Sequence, residues 1–174
     1  MPDDSKDSLS MMYFSNPEVF ADIYNYVLYS GEQVITPDSL TELDPVELVP
    51  SQKRRGSKRG KPQPRRDILK QLVCKRGGNV TYVILGIEEQ TNPDCGMVIR
   101  AMLYDALRYD KQRKRLSQAN SEKGLFNSRE TGRFFTGGIL PTDKVHPVIT
   151  LVVFLSDMPW EGPRCLSEFL DLQD

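Results

Sequence analysis

The sequence is short of the residue types that build disulfide scaffolds, zinc sites and membrane spans. It has three cysteines, Cys74, Cys95 and Cys165, odd in number, widely spaced and never in a Cys-x-x-Cys pair. A disulfide framework and a structural zinc site are therefore both poorly supported, and Cys95 reads as a small packing residue. The one histidine, His146, stands at the start of a strand-like run beside Pro147, where a structural role is favoured over metal binding or general-base work. Long apolar runs are also missing. The longest, Val148–Leu155, is eight residues and is interrupted by Thr150, far short of the ~20 that a membrane helix needs. The acidic opening Met1-Pro-Asp-Asp-Ser-Lys-Asp has no hydrophobic stretch behind it, so no secretory signal and a reduced, cytoplasmic setting are expected. With 39% apolar and 27% charged residues in 174, the composition suits one soluble globular domain.

Charge is present but unevenly placed. The net charge of −1 divides into −9 over residues 1–50, +10 over 51–76 and −2 over 77–174. Between Lys53 and Arg66 stand eight lysines or arginines and no acid. Such a block attracts phosphate polyanions, and a merely solvated loop is the competing reading. Its Pro- and Gly-rich composition over 49–64 gives a flexible loop inside the domain rather than a linker between two.

Residues 1–10 are polar and are expected to be disordered, with the single domain over 11–174. A helix is predicted over Pro17–Tyr29: Asn16 suits the N-cap, Pro17 the first turn and Gly31 the exit. Its apolar positions make one stripe, and most of the aromatic cluster around it (Tyr13, Phe14, Phe20, Tyr24, Tyr26, Tyr29) reads as buried face rather than as a base-stacking platform. Thr36-Pro37-Asp38 opens a brief helix toward Leu43. Two strands follow, Arg65–Cys74 and Val80–Gln90. A helix then runs from about Cys95 to Leu116, with Val98, Ile99, Met102, Leu103, Ala106 and Leu107 on its apolar face. Residues 117–137 read as loop. The run from His146 to Leu155, β-branched and apolar on both sides, reads as a strand buried in the middle of a sheet. The order implies an α/β or α+β sandwich.

The two strands carry the sharpest inference. A two-residue turn at Gly77-Gly78 makes paired residue numbers sum to 155. Ile68 then faces Ile87, Leu72 faces Val83, Arg66 faces Glu89, and Asp67 lies opposite Glu88. Two carboxylates roughly 4.5–5.5 Å apart at Cβ repel and require a positive partner. A divalent cation is one candidate; a base such as Arg65, or a bulge that shifts the register, is the alternative. Gln90, two residues beyond Glu88, projects from the same side of the strand.

An acid on one strand and Glu-x-Gln closing the next is similar to the pattern of PD-(D/E)XK nucleases. The ordered segments Phe20-Ala-Asp-Ile-Tyr-Asn-Tyr, Gly31-Glu-Gln-Val-Ile, Arg66-Asp67, Leu85-Gly-Ile-Glu-Glu-Gln-Thr, Ile99-Arg-Ala-Met-Leu-Tyr-Asp-Ala, Pro147-Val-Ile-Thr-Leu and Trp160-Glu-Gly-Pro-Arg resemble the bacterial recombination-promoting nuclease, or transposase-like, family. The likeness spans roughly residues 11–172, and because family members run on further, it implies a truncated member. It implies a restriction-endonuclease-like core, a mixed central sheet flanked by helices in the order αβββαβ. It also implies a magnesium-dependent DNA endonuclease in recombination or transposition. A catalytically inactive nucleic-acid-binding remnant is the alternative, and homodimerisation is left open. Carried over, Asp67, Glu88 and Gln90 are the catalytic residues, with Gln90 at the usual lysine position. Asp67, Glu88 and Asp22 (Glu18 as fallback) are the magnesium ligands. Lys53, Arg54, Arg55, Lys58, Arg59 and Arg65 are the expected DNA contacts. Arg100 and Tyr104, four apart on the long helix, are expected either to touch phosphate or to support the carboxylates.

Overall fold

The computed structural model describes residues 4–44, 68–76, 79–125 and 137–171. Helices α1 (Asp4–Ser15) and α2 (Pro17–Tyr29) come first, followed by strands β1 (Leu40–Glu42), β2 (Ile68–Arg76) and β3 (Asn79–Gln90). Helix α3 (Met97–Glu122) and strand β4 (Val148–Phe154) complete a mixed α/β chain. The four strands form one sheet in the order β1-β2-β3-β4. β1, β2 and β3 pair antiparallel, and β4 runs parallel to β3. Among the described residues no helix is long and apolar enough to cross a membrane.

The β2–β3 register is the one that a two-residue turn requires: Ile68 pairs with Ile87, Leu72 with Val83 and Arg76 with Asn79. The turn residues themselves lie outside the described residues. Strand alternation then sorts the sheet into two faces. One face presents Ile68, Leu72, Leu85 and Ile87, which pack with Phe14, Phe20, Ala21, Tyr24 and Ile35 into the hydrophobic core under α1 and α2. The other presents Ile84, Gly86, Glu88 and Gln90 toward α3.

Helix α2 begins and ends as its sequence dictates. The Asn16 carboxamide oxygen accepts the Glu18 N–H at 2.8 Å, and Pro17 occupies the first turn. The exit is left-handed at Ser30 (φ 53°) and again at Gly31 (φ 88°), so the reversal begins one residue before the glycine. Asn25 is fully buried and holds the returning chain: its oxygen accepts the Ile35 N–H and its nitrogen donates to the Ile35 carbonyl, both at 2.8 Å. The Tyr24 hydroxyl lies 2.7 Å from the Gly86 carbonyl and 3.0 Å from that of Ile149, tying α2 to the β3–β4 seam.

Four expectations are corrected. Residues 4–10, read as disordered, belong to α1, which is anchored by Phe14 in the core and by the Ser10 hydroxyl donating to Glu89 at 2.6 Å. The brief helix after Thr36 stops as a single 3-10 turn at Ser39, and Leu40–Glu42 becomes a strand because it pairs with Lys70–Leu72. β4 is not central: among the described residues it closes one side of the sheet, and none of its residues is fully buried. It is apolar on both sides because one side joins the α2 core and the other meets α3.

The fourth correction concerns α3, which continues to Glu122 beyond the expected end near Leu116, and much of its apolar stripe is exposed. Its buried side chains are Met97, Tyr104, Arg108 and Asn120, while Ile99, Met102, Leu103 and Ala106 are exposed, Met102 and Leu103 at 48% each. The sheet face beneath it supplies the reason, because Glu88 and Thr150 stand there. Arg100 reaches Glu88, and the Thr150 hydroxyl donates to the Asp105 carboxylate at 2.7 Å. Burying polar groups without partners costs more than exposing an apolar stripe.

Candidate functional site

Glu88 sits near the C-terminal end of β3, paired across to Val152 of β4, with its side chain 0% exposed. A carboxylate taken fully out of water needs charge or hydrogen bonds close by. Arg100 supplies charge from the first turn of α3, its Nη2 being 3.5 Å from Glu88 Oε2. The short connection from β3 to α3 fixes that arginine. The Asp94 carboxylate accepts the Gly96 N–H at 2.8 Å, an Asx turn that starts the helix, and its second oxygen lies 3.4 Å from Arg100 Nη1. Tyr104, one turn further along the helix, also favours the charged guanidinium. Burial disfavours the Arg100 charge, but Tyr104, Glu88 and Asp94 together outweigh it and raise its pKa above the ordinary value. Glu88, Asp94, Arg100 and Tyr104 thus form one ionic corner between β3 and α3.

Gln90 shares the Glu88 side of the strand, as expected, and its amide nitrogen donates to the Asn92 carbonyl at 2.6 Å. Glu89 points to the opposite face and is bound by α1. Of the two roles expected for Arg100 and Tyr104, support of a carboxylate fits, since Tyr104 is buried beneath the helix. Asp22 is exposed on α2, in the layer on the other side of the sheet from Glu88, and Glu18 is exposed as well. The structure therefore does not bring the expected third ligand to Glu88. Among the described residues no three His, Cys, Asp or Glu side chains cluster closely enough to hold a metal. Asp67, Lys53, Arg54, Arg55, Lys58, Arg59 and Arg65 lie outside the described residues.

Sequence reasoning passed over Asp94. Its signal was present, an aspartate two residues before Gly96 at the entry to a helix, which is where a side-chain oxygen caps the backbone. It also passed over Lys70, buried on the core face, where its ammonium donates to the Ser15 carbonyl at 2.8 Å and pairs with Glu42. A lone lysine in a strand of alternating pattern carries no mark that distinguishes burial from exposure.

Compared with family models, with curated proteins and with solved structures, the chain matches none.

Proposed function

We propose that this chain is a metal-dependent DNA endonuclease of the PD-(D/E)XK type that acts in recombination or transposition. The observation that carries the reading is the β2–β3 register, with Glu88 and Gln90 on one side of β3. An antiparallel β1-β2-β3 meander followed by α3 and a parallel β4 supports the αβββαβ arrangement. In this reading Asp67 is the second carboxylate, one residue before the Ile68–Ile87 pair. The donor chemistry fits magnesium, which binds through one or two carboxylates and keeps waters for the rest of its octahedron. When bound, the ion supplies an activated water and charge stabilisation at the leaving oxygen. Arg100 holds Glu88 in one orientation. Asn92 holds the Gln90 amide by its nitrogen, which turns the amide oxygen to accept a hydrogen from the attacking water. Gln90 has no ammonium to offer the scissile phosphate, so water orientation is its whole contribution.

A specific observation favours the second reading, a nucleic-acid-binding remnant without turnover. Glu88 is closed off from solvent and already beside a cation, and Asp22 stands on the wrong side of the sheet. A plasmid-nicking assay with and without magnesium separates the two, using Asp67→Ala and Glu88→Gln as controls. The nuclease reading expects magnesium-dependent nicking that each substitution lowers by about 10²-fold or more, because a metal's transition-state stabilisation is worth several kcal/mol. A parent chain that binds DNA and never nicks it gives the remnant reading the field. Cleavage unaffected by both substitutions places the activity elsewhere.

A further inference from the structure

Helix α3 turns an apolar seam to solvent on the side away from the sheet. Its exposed residues Ile99, Met102, Ala106, Tyr109 and Arg113 recur alternately at spacings of three and four, the heptad rhythm of a helix that packs on another helix. At 3.6 residues per turn they fall opposite the buried Met97, Tyr104 and Arg108. Leu103, also exposed, flanks the seam on one side. On the other flank Asp105 is drawn toward the sheet by the Thr150 hydroxyl at 2.7 Å. From Ile99 to Arg113 the seam runs about 21 Å. Tyr109 is fixed within it: its hydroxyl accepts the Val148 N–H at 3.0 Å, while 37% of the residue stays exposed. A ring ordered before it meets a partner loses little freedom on binding.

The seam is complementary to itself. In an antiparallel pair about a two-fold axis, matching the heptad layers makes facing residue numbers sum to 208. Ile99 then meets Tyr109 of the second copy, and Met102 meets Ala106. The layers nearest the axis thus set a long side chain against a small one, and Leu103 lies beside its own equivalent. The two ends of the seam match in charge. Asp94 precedes the helix, whereas Arg113 and Lys114 follow Tyr109. Asp110 holds that basic pair at 2.8 Å and 2.6 Å, which leaves this end net positive. The same register places Asp94 against Lys114 of the second copy. A parallel pair would instead stack Arg113 on Arg113, so charge selects the antiparallel arrangement.

We propose that the outer face of α3 is the interface of a homodimer, formed by antiparallel packing of this seam on the same seam of a second copy of the chain. A two-fold contact uses one patch twice, so a self-complementary face is what it requires. One pair of helices this long gives a contact at the small end of specific interfaces, roughly 1,200 Å² in total, and a dissociation constant in the micromolar range follows. Exposed apolar side chains also stand on α1 (Leu9, Met12, Tyr13) and on α2 (Tyr26, Val27), but each of those groups covers little more than one turn of helix. The interface stands independently of the endonuclease reading, since none of Ile99, Met102, Ala106 and Tyr109 belongs to the Glu88 corner.

Sedimentation equilibrium of the full chain, over about 1 to 100 μM, tests the proposal, and a monomer–dimer equilibrium is expected. Met102→Glu with Leu103→Glu sets four carboxylates around the axis and should weaken association about 100-fold or more. Tyr26→Glu with Val27→Glu places the same charge on exposed apolar residues of α2 and should change it by less than about two-fold. Thermal unfolding of each variant keeps lost association distinct from lost fold. Mild oxidation reads the register. Met102→Cys with Ala106→Cys should give a covalent dimer whose linked peptides, identified by mass spectrometry, join positions 102 and 106 of different copies. Met102→Cys with Arg113→Cys, on the same seam but out of register, should give no such dimer. A parent chain that stays monomeric at about 100 μM, equal weakening by both glutamate pairs, or links that join position 102 to itself, the mark of parallel pairing, overturns the proposal.

Discussion

The ionic corner makes a quantitative prediction through the Arg100–Glu88 pair. At 3.5 Å the two unit charges attract by about 5 kcal/mol for an effective dielectric constant near 20. That figure is a ceiling, because Arg100 is 43% exposed and shares its charge with Asp94. Exposed pairs measure ~0.2–1 kcal/mol, and breaking a buried pair costs ~3–5 kcal/mol. One fully buried partner and one half-exposed partner place the coupling at about 2 kcal/mol. The perturbation is a double-mutant cycle of Arg100→Gln, Glu88→Gln and the pair together, read by urea denaturation near pH 7.5 at low salt. Arg100→Gln should be the worse single change, since it takes the Arg100 charge away from a carboxylate inside the fold. Glu88→Gln leaves an arginine that water reaches. A coupling below about 0.5 kcal/mol, or Arg100→Gln milder than Glu88→Gln, would refute the account of Arg100 as the support of Glu88. The same variants join stability to function. Under the proposed endonuclease reading, Arg100→Gln lowers magnesium-dependent nicking without Arg100 touching the substrate, and Arg100→Lys restores part of it.

Two further perturbations probe the scaffold. Asn25→Ala removes both bonds to Ile35 and strands buried backbone groups, so a loss of about 3 kcal/mol is expected, near 10 °C in the thermal midpoint; a drop under about 1 kcal/mol would refute the clamp. Asp143 is held below the ordinary carboxylate range by the Leu140 N–H and by Asn120. A depressed pKa gives stability that is present above the unfolded value of about 3.9 and is lost as pH falls through the folded value. The stability difference between the parent and Asp143→Asn should therefore shrink below about pH 4, and a difference constant from pH 7 to pH 3 would contradict it.

The reach of the sequence follows from which physical signals are local. Asn16, Pro17 and the turn near Gly31 bounded α2 correctly, because caps act within one turn of chain. The β2–β3 register was legible from Gly77-Gly78, because turn length fixes strand pairing by counting, and the Ile68–Ile87 pair keeps the count. β1 was missed because three residues of Leu-Thr-Glu carry no pattern until Lys70–Leu72 lies beside them.

The instructive case is α3. Periodicity identifies a helix with an apolar stripe, and such a stripe ordinarily turns to the core only where the surface beneath it is apolar. Strand β3 breaks that condition on one face. Alternation places Ile84, Gly86, Glu88 and Gln90 together, a row whose outer end is polar, and β4 adds Thr150. A helix lying across such a row is oriented by the groups that need partners. Arg100 goes to Glu88 and Asp105 to Thr150, while Tyr104 and Arg108 follow them inward at spacings of three and four. The carboxylate that defines the candidate site and the exposed apolar stripe of α3 are thus one fact seen from two sides. Burying Glu88 commits the Arg100 and Arg108 face of α3 to the sheet, and that face, continued through Lys111 and Arg115, also lines a cavity of about 360 Å³. A substitution that removes the demand at position 88, such as Glu88→Leu, should therefore loosen the N-terminal half of α3. Faster amide hydrogen exchange over residues 97–108 is the expected reading, and unchanged exchange there would detach the orientation of the helix from the acid beneath it.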